Sequence, residues 1–232
     1  MIPAAHSLGR ARWTWLVLAV LFLVQTYVAS RGGFAECPEI FLRFGVSRDE
    51  FLLGHVWQLV THFFLHGNWS HLFTNAVILM LLAARIEDIL GRNMLFLCLL
   101  VGTIGGGLMH LLLVPAGGLL VGASGACMAL LLLFTTVSPQ SRVFFLPVSA
   151  GNLGLGVLIS SLLLSLLNPL LGLPYLARIG EVAQSFYPGL FLIGHACHFG
   201  GAMAGFLLGR WIFRAPVSLE RLHAERMRNE LR

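Results

Sequence analysis

Four polar side chains stand in strongly apolar stretches of the chain, and their types match those used in nucleophilic catalysis. Ser124 lies among the small residues of segment 121–126, which leave its hydroxyl accessible. His198 supplies an imidazole, which can take the proton of a serine hydroxyl when the two side chains are adjacent. His71 and Asn75 are spaced i, i+4, so they share one helix face, and both can donate hydrogen bonds. The four residues could supply a nucleophile, a base and two donors.

Each signal is weak when taken alone. A Gly-x-Ser-Gly motif also serves plain helix packing, and a lone histidine inside a membrane is more often a structural residue than a base. His195 is an alternative base, because it lies one turn before His198 on the same helix face. Gly201 and Gly205 follow His198 at i+3 and i+7 and so lie on its helix face, whereas they do not have this spacing from His195. This favours His198 as the base. We interpret His110 and the serines of one later span as ordinary packing residues, because a serine can bond its own helix backbone; those serines are Ser160, Ser161 and Ser165.

The composition places these side chains in a membrane. Of 232 residues, 57% are hydrophobic and 11% are charged, whereas a soluble domain carries about a quarter charged residues. A membrane helix needs roughly 20 mostly apolar residues, and six windows meet that requirement: about 13–30, 70–90, 94–114, 119–137, 148–169 and 189–213. The sequence therefore predicts an all-α membrane protein with six spans. The first window could instead be a signal peptide, since it follows two arginines and ends in Val-Ala-Ser.

Charge predicts the orientation of these spans. All 15 basic residues are arginines, and eleven of them fall on one side if the N-terminus is inside. Because arginine excess marks the cytoplasmic side, we expect both termini in the cytoplasm, with residues 1–213 as the membrane domain and 214–232 as a basic cytoplasmic tail. In so apolar a chain no basic face exists to hold nucleic acid, so we expect no nucleic-acid partner. The four cysteines show no Cys-x-x-Cys motif and no repeated spacing, so we expect no disulfide framework.

The predicted topology brings the chemical groups together. Spans two, four and six all run from outside to inside, and each carries one of the singled-out residues within its first two or three turns. The outer loop between the first two spans is predicted to lie in the interface, because segment 56–64 is too short and too polar to cross. His62, His66 and Asn68 in that loop are expected to help hold water. A second outer loop, 168–189, is predicted to contain a short surface helix.

These residues resemble the signature of the rhomboid family of intramembrane serine proteases. The resemblance runs from about Gly54 to Gly209 and consists of several motifs in order along the chain. They are Gly54-His-Val-Trp57-Gln58 with His62 and His66, Asn68-Trp-Ser-His71 with Asn75, Glu87-x-x-x-Gly91, Gly122-x-Ser124-Gly125, and His198-x-x-Gly201-x-x-x-Gly205.

The resemblance implies a six-helix rhomboid-like bundle with a water-filled cavity that opens outward. It implies Ser124 as the nucleophile, His198 as the general base, and His71 and Asn75 as donors to the oxyanion. It also implies close helix packing near the site at four glycines: Gly122, Gly125, Gly201 and Gly205. No cofactor and no metal are expected, because a serine–histidine dyad needs neither.

The chain departs from the family pattern at three points. Gln58 stands where a Trp-Arg pair has its arginine, which puts the anchoring of the loop in doubt. Met128 replaces an aromatic residue that often stacks on the catalytic imidazole. The interval from Ser124 to His198 is long, which leaves room for an outer loop that caps the cavity or shapes substrate choice.

Other functional classes fit the residues less well. A metalloprotease is disfavoured because His62-x-x-x-His66 lacks the glutamate of the HExxH motif, and an aspartic intramembrane protease needs two aspartates in the membrane. A proton-relaying transporter is conceivable, but no repeat or charged pathway supports it. The main alternative is a rhomboid-like protein that binds membrane clients without cutting them; such relatives usually lack the serine or the histidine.

We therefore predict a protease that cuts single-span membrane proteins whose helices unwind near the outer surface. A narrower possibility is a processor of C-terminal sorting tags, similar to rhombosortases. We expect a bacterial inner membrane, because the chain is short and shows no transit-like leader.

Overall fold

The computed structural model describes residues 8–9, 11–115, 117–141 and 148–212, and nearly all of its regular structure is helical. Two short strands form one antiparallel pair. In chain order the elements are α1 (Arg12–Ser30), α2 (Gly33–Glu36), α3 (Pro38–Phe44), β1 (Val46–Ser47), α4 (Arg48–Leu52), α5 (Gln58–Thr61), α6 (Trp69–Ile78), α7 (Ala84–Leu113), β2 (Leu119–Leu120), α8 (Ser124–Val137), α9 (Ala150–Leu166), α10 (Leu176–Phe186) and α11 (His195–Ile212). A π-helical turn, Leu79–Ala83, joins α6 to α7. The predicted tail 214–232 lies outside the described residues.

The continuous helical stretch from α6 to α7 reverses direction at Gly91. This residue has φ 82° and ψ 170°, which are not helical values. In a straight helix His71 and His110 would be about 58 Å apart, yet both line the same cavity. The stretch therefore consists of two antiparallel arms, 69–90 and 92–113, in agreement with the second and third predicted spans.

Glu87 ties this reversal to the start of α1. Its carboxylate accepts hydrogen bonds from the backbone N–H of Trp13 (3.1 Å) and of Thr14 (2.8 Å), and from the Thr14 hydroxyl (2.8 Å). The first N–H groups of a helix have no partner within the helix, so a carboxylate satisfies them and also matches the positive end of the helix dipole. The Glu87–Gly91 motif thus fixes where α1 begins against the turn.

Within the described residues, two helical stretches are long and apolar enough to cross a membrane: Arg12–Ser30 and Trp69–Leu113. Helices α8 and α9 are apolar but shorter. The prediction of six crossings is therefore supported only as far as a mostly helical, strongly apolar bundle, and the number of crossings stays a prediction.

Two helices begin later than the apolar windows predicted. The window 119–137 starts with β2, which pairs with β1 through Val46–Leu120 and Ser47–Leu119, and the helix begins only at Ser124. The window 189–213 starts with a 3-10 turn, and α11 begins at His195. Hydropathy does not distinguish an apolar strand or turn from a helix, so both predicted windows extend too far at their N-terminal ends.

The centre of the bundle consists of the second arm of the long stretch, α8 and α11, which pack through glycines. A Cβ on Gly201 would lie 2.8 Å from the Cα of Gly125 and would overlap its carbonyl oxygen. A Cβ on Gly205 would likewise lie 2.6 Å from the Cα of Ala129. Because no side chain separates these backbones, α11 and α8 approach more closely than larger residues would permit.

The loop between α1 and α6 is anchored by side chains that reach backbone carbonyls. Gln58 is fully buried; it accepts from the N–H of Ser47 (3.3 Å) and donates to the carbonyl of Leu42 (2.8 Å). Arg48 donates to the carbonyls of Leu111 and Leu112 at the end of α7. The doubt raised by the missing arginine at position 58 is thus answered, because Gln58 anchors the loop in this fold.

Candidate active site

A cavity of about 820 Å³ opens between the helices, and the four residues singled out from the sequence all line it. These residues are Ser124, His198, His71 and Asn75. They come from three separate helices, and each lies within the first two turns of its helix. The structure therefore brings the Ser124 hydroxyl, the two imidazoles and the Asn75 amide to one cavity at one end of the bundle.

Ser124 is the first residue of α8, directly after a turn that only glycine adopts easily. Gly122 has φ +116°, and a Cβ there would lie 2.7 Å from Cε1 and 2.8 Å from Nε2 of His71. The glycine thus allows the His71 ring to approach the backbone that leads to the serine. As the first helical residue, Ser124 has a backbone N–H that the helix itself does not use, and the positive end of the helix dipole lies at the same place.

His71 and Asn75 extend from the start of α6 towards this turn. The side chain of Asn68 caps the helix by accepting from the N–H of His71 (2.8 Å), which is a common stabilising arrangement at a helix start. Asn75 is 3% exposed, and its Nδ2 has no hydrogen-bond partner among the described residues. A buried donor without a partner is costly, which is typical of a group whose acceptor arrives with a ligand.

His62 and His66 support the backbone before the serine. Both are fully buried, and neither is among the described residues that line the cavity. The carbonyl of His62 accepts from the N–H of Gly122 (2.9 Å), and Nε2 of His66 accepts from the N–H of Ala123 (3.4 Å). The expectation that these two histidines help to hold water stays a prediction, whereas Asn68 does line the cavity.

Burial keeps both of these loop histidines neutral. It lowers the pKa of His62 to about 4 and the pKa of His66 to about 3, because a charged imidazole is poorly solvated in the protein interior. Neutrality is also required by the contact with Ala123, since Nε2 can accept a hydrogen bond only when it carries no proton. The sequence contained a signal for this role, namely two histidines one turn apart in an apolar loop.

His198 and His195 both line the cavity, but they are not equivalent. Nε2 of His195 is engaged with the carbonyl of Leu190 (2.8 Å), so that nitrogen carries the proton and donates it. The centroids of the His195 and His198 rings lie 6.2 Å apart. None of the described residues that line the cavity is an aspartate or a glutamate, so no carboxylate is at hand there to form a triad.

The remaining polar residues follow their ordinary interpretations, with one addition. The hydroxyls of Ser161 and Ser165 donate to carbonyls one turn earlier in α9, as expected for serines in an apolar helix. Nε2 of His110 contacts the carbonyl of Gly118 (3.3 Å). Ser165, His110 and Met128 nevertheless also line the cavity, so they contribute to its shape.

Comparison of the sequence with known proteins finds a match to one family. The Rhomboid domain family matches residues 53–215 of the chain. RHOMBOID-like protein 5 of Arabidopsis thaliana is 28% identical over 165 residues, which cover 70% of this chain and 46% of that protein. Rhomboid-like protein 11, chloroplastic, of the same plant is 36% identical over 74 residues, which cover 32% of this chain and 26% of that protein. The chain thus spans less than half the length of these two relatives.

Proposed function

Because the chain belongs to the rhomboid family and is an integral membrane protein, we propose that it is an intramembrane serine protease. One observation supports this most directly: Ser124, His198, His71 and Asn75 line a single cavity at the starts of their helices. Ser124 would be the nucleophile and His198 the general base. The family alone does not establish activity, so the roles of these residues rest on their chemistry and on the shared cavity.

The proposed reaction is an acyl transfer in two steps. Ser124 Oγ attacks the carbonyl carbon of a peptide bond while His198 takes the hydroxyl proton. The bond from carbon to nitrogen then breaks, and His198 returns the proton to the leaving amine. Water attacks the resulting ester by the same route in reverse, which releases the new carboxyl end and restores the serine.

The negative charge that develops on the substrate oxygen would meet three donors. These are the side chains of His71 and Asn75 and the backbone N–H of Ser124. Removing one donor of this kind typically costs about 2.7–4 kcal/mol of transition-state stabilisation. The unpartnered Nδ2 of Asn75 supports its assignment, because that hydrogen bond would form only when the oxyanion is present.

His198 is favoured over His195 as the base for a reason that the sequence did not provide. Nε2 of His195 already donates to the carbonyl of Leu190 and so helps to hold the loop before α11. It would have to break this hydrogen bond before it could take a proton from Ser124. A dyad is proposed rather than a triad, because the cavity walls contain no carboxylate among the described residues.

We further propose six membrane crossings with both termini cytoplasmic, and a cavity that opens on the opposite, extracytoplasmic side. The substrates would be membrane proteins whose helices unwind near that surface, at small residues or helix breakers. Cleavage of C-terminal sorting tags, as in rhombosortases, is a narrower form of the same proposal. A bacterial inner membrane stays the predicted location.

The test is covalent labelling of the purified protein with a fluorophosphonate probe, combined with cleavage of a single-span reporter in proteoliposomes. Wild type should be labelled and active, whereas Ser124→Ala and His198→Ala should lose both. Ser165→Ala is the matched control, because Ser165 also lines the cavity but its hydroxyl is bound to Ser161; it should behave like wild type.

Two results would contradict the assignment. Labelling that survives Ser124→Ala would exclude Ser124 as the nucleophile. Cleavage that persists in His198→Ala but disappears in His195→Ala would reverse the choice of base. A well-folded wild type that neither reacts nor cleaves would leave client binding without proteolysis as the function.

A further inference from the structure

Helix α10, between α9 and α11, has an apolar face that nothing in the described protein covers. Its inner face packs on the protein: Gly180 is buried, and a Cβ there would overlap the carbonyl oxygen of Leu167. A second face carries large apolar side chains at i, i+3 and i+7 spacing that are 54%, 59% and 83% exposed, namely Ile179, Val182 and Phe186. Isolated exposed apolar residues are common, but a whole helix face of them indicates a binding surface.

The third face of α10 is polar. Arg178, Glu181 and Ser185 are all exposed, and at about 100° per residue they lie roughly 100° around the helix from the apolar face. A helix with adjacent apolar and charged faces matches the boundary between lipid headgroups and acyl chains. In water alone, by contrast, the apolar face would remain unburied.

Helix α9, which precedes α10 in the chain, also carries an exposed apolar surface. That surface carries Leu155, Ile159 and Leu163, which are 56%, 49% and 53% exposed, and Leu170 between the two helices is 73% exposed. We propose that α10 lies in the membrane plane on the cavity side, with Ile179, Val182 and Phe186 inserted among lipid acyl chains. This inference rests on the membrane location and not on protease activity.

This placement has a consequence for the cavity. The segments on either side of α10 line it, through Asn168 and Leu170 on one side and residues 191–194 on the other. A helix anchored in the lipid boundary would therefore restrain the two flanking segments that line the cavity.

Nitroxide labelling of the full chain in phosphatidylcholine–phosphatidylglycerol vesicles tests the proposal. The described native cysteines are all buried, so a label directed to Val182→Cys or to its control Ser185→Cys reacts selectively. The label at position 182 should be relaxed strongly by oxygen and weakly by a water-soluble nickel complex, and the label at 185 should show the opposite. Equal access of nickel to both positions would overturn the proposal, and so would protection of position 182 from both agents, which would indicate a protein partner.

A second inference concerns Asn75 and depends on a different contact. The thiol Sγ of Cys127 lies 3.8 Å from Oδ1 and 3.7 Å from the backbone oxygen of Asn75. Cys127 is fully buried and lies one turn after Ser124 in α8. On its other side, the amide faces the backbone of Gly122, where a Cβ would lie 3.5 Å from Nδ2.

We infer that Cys127 is a positioning residue that orients the Asn75 amide. Because Oδ1 can only accept, a thiol donor at this distance favours the amide orientation that places Oδ1 towards Cys127 and Nδ2 towards the turn before Ser124. The helix that carries the proposed nucleophile would then also set the direction of one oxyanion donor. This inference rests on the proposed function.

The test compares Cys127→Val, which has a similar volume and no donor, with Cys127→Ser, which keeps a donor. Cys127→Val should lower kcat about tenfold with KM unchanged, since the lost orientation affects only the transition state. Cys127→Ser should retain most of kcat. Cys98→Val is the control for loss of a buried thiol, because Cys98 lies in the same apolar core as Cys127 and is not among the described residues that line the cavity; it should not change kcat.

A double-mutant cycle with Asn75→Ala decides whether the effect passes through Asn75. In the Asn75→Ala background, Cys127→Val should cause no further loss; an equal tenfold loss there, or a Cys127→Val variant with wild-type kcat, would overturn the inference. If wild type shows no Ser124-dependent turnover, the proposed function fails instead. In that case the infrared S–H stretching band of Cys127 tests the contact with Asn75 without any activity. The band is obtained by subtracting the spectrum of Cys127→Ser from that of the wild type. It should shift in Asn75→Ala, and an unchanged band would overturn the inference.

Discussion

Replacing Gly201 with alanine should abolish most activity by separating two helices. A Cβ at this position would overlap the carbonyl oxygen of Gly125 and would lie 2.7 Å from its carbonyl carbon, where ordinary contact begins at 3.4 Å, so α11 and α8 must separate by more than about 0.7 Å. Ser124 and His198 sit next to this contact on the two helices. A misplacement of about 1 Å in a catalytic pair can cost on the order of 10²-fold in rate, and we expect a loss of kcat/KM of that order.

The assay is reporter cleavage in proteoliposomes, with fluorophosphonate labelling as a second measure of the serine. Gly156→Ala is the matched control, because Gly156 lies in α9 and a Cβ there would meet nothing within 4 Å; it should keep wild-type activity. Thermal unfolding in detergent separates a local shift from loss of the fold. Wild-type rates in a folded Gly201→Ala variant would refute the reasoning, because they would mean that the glycine contact does not set the distance between the two catalytic groups.

Two further predictions concern stability. Glu87→Ala should destabilise the protein by about 2–4 kcal/mol, because the start of α1 and the buried Thr14 lose their acceptor, while Asp88→Asn should have little effect; equal thermal unfolding of the two variants would contradict this. Acid should also destabilise the fold, since His62 and His66 titrate near 6.5 when unfolded but have a lowered pKa when folded. Stability is therefore full above about pH 6.5 and decreases below it by up to about 1.4 kcal/mol per histidine for each pH unit, until the pH reaches the folded pKa of about 4 for His62 and about 3 for His66. The slope of unfolding temperature against pH should be smaller in His62→Gln, and an unchanged slope would contradict the assignment.

The sequence was informative about which residues belong together. Ser124, His71, Asn75 and His198 are polar residues in apolar surroundings, and their order along the chain matches a family signature, so they could be singled out without coordinates. Their chemical roles stay predictions. The structure adds that the four side chains line one cavity. Hydropathy and spacing predicted only that they lie at similar depths in their spans.

The sequence was less informative about the loop before α6. His62 and His66 are polar, and a polar residue near a proposed aqueous cavity is naturally expected to face it. Both side chains are instead buried, and the contacts with the 122–123 backbone are made by the ring of His66 and by the main-chain carbonyl of His62. The same holds for Gln58, whose anchoring role depends on the N–H of Ser47 and the carbonyl of Leu42, which lie 11 and 16 residues away along the chain.

What the sequence determined by itself was the class of protein and the chemistry available to it. Hydropathy is a local property, so runs of apolar residues predict helices in lipid without knowledge of the fold, and residue types fix which groups can donate or accept a proton. What only the tertiary structure decided was distance and direction. The approach of α11 to α8 depends on glycines facing backbone across 76 residues of chain, from Gly125 to Gly201, and the orientation of the Asn75 amide depends on a thiol 52 residues away. Such contacts arise from the packing of whole helices, and no local pattern contains them.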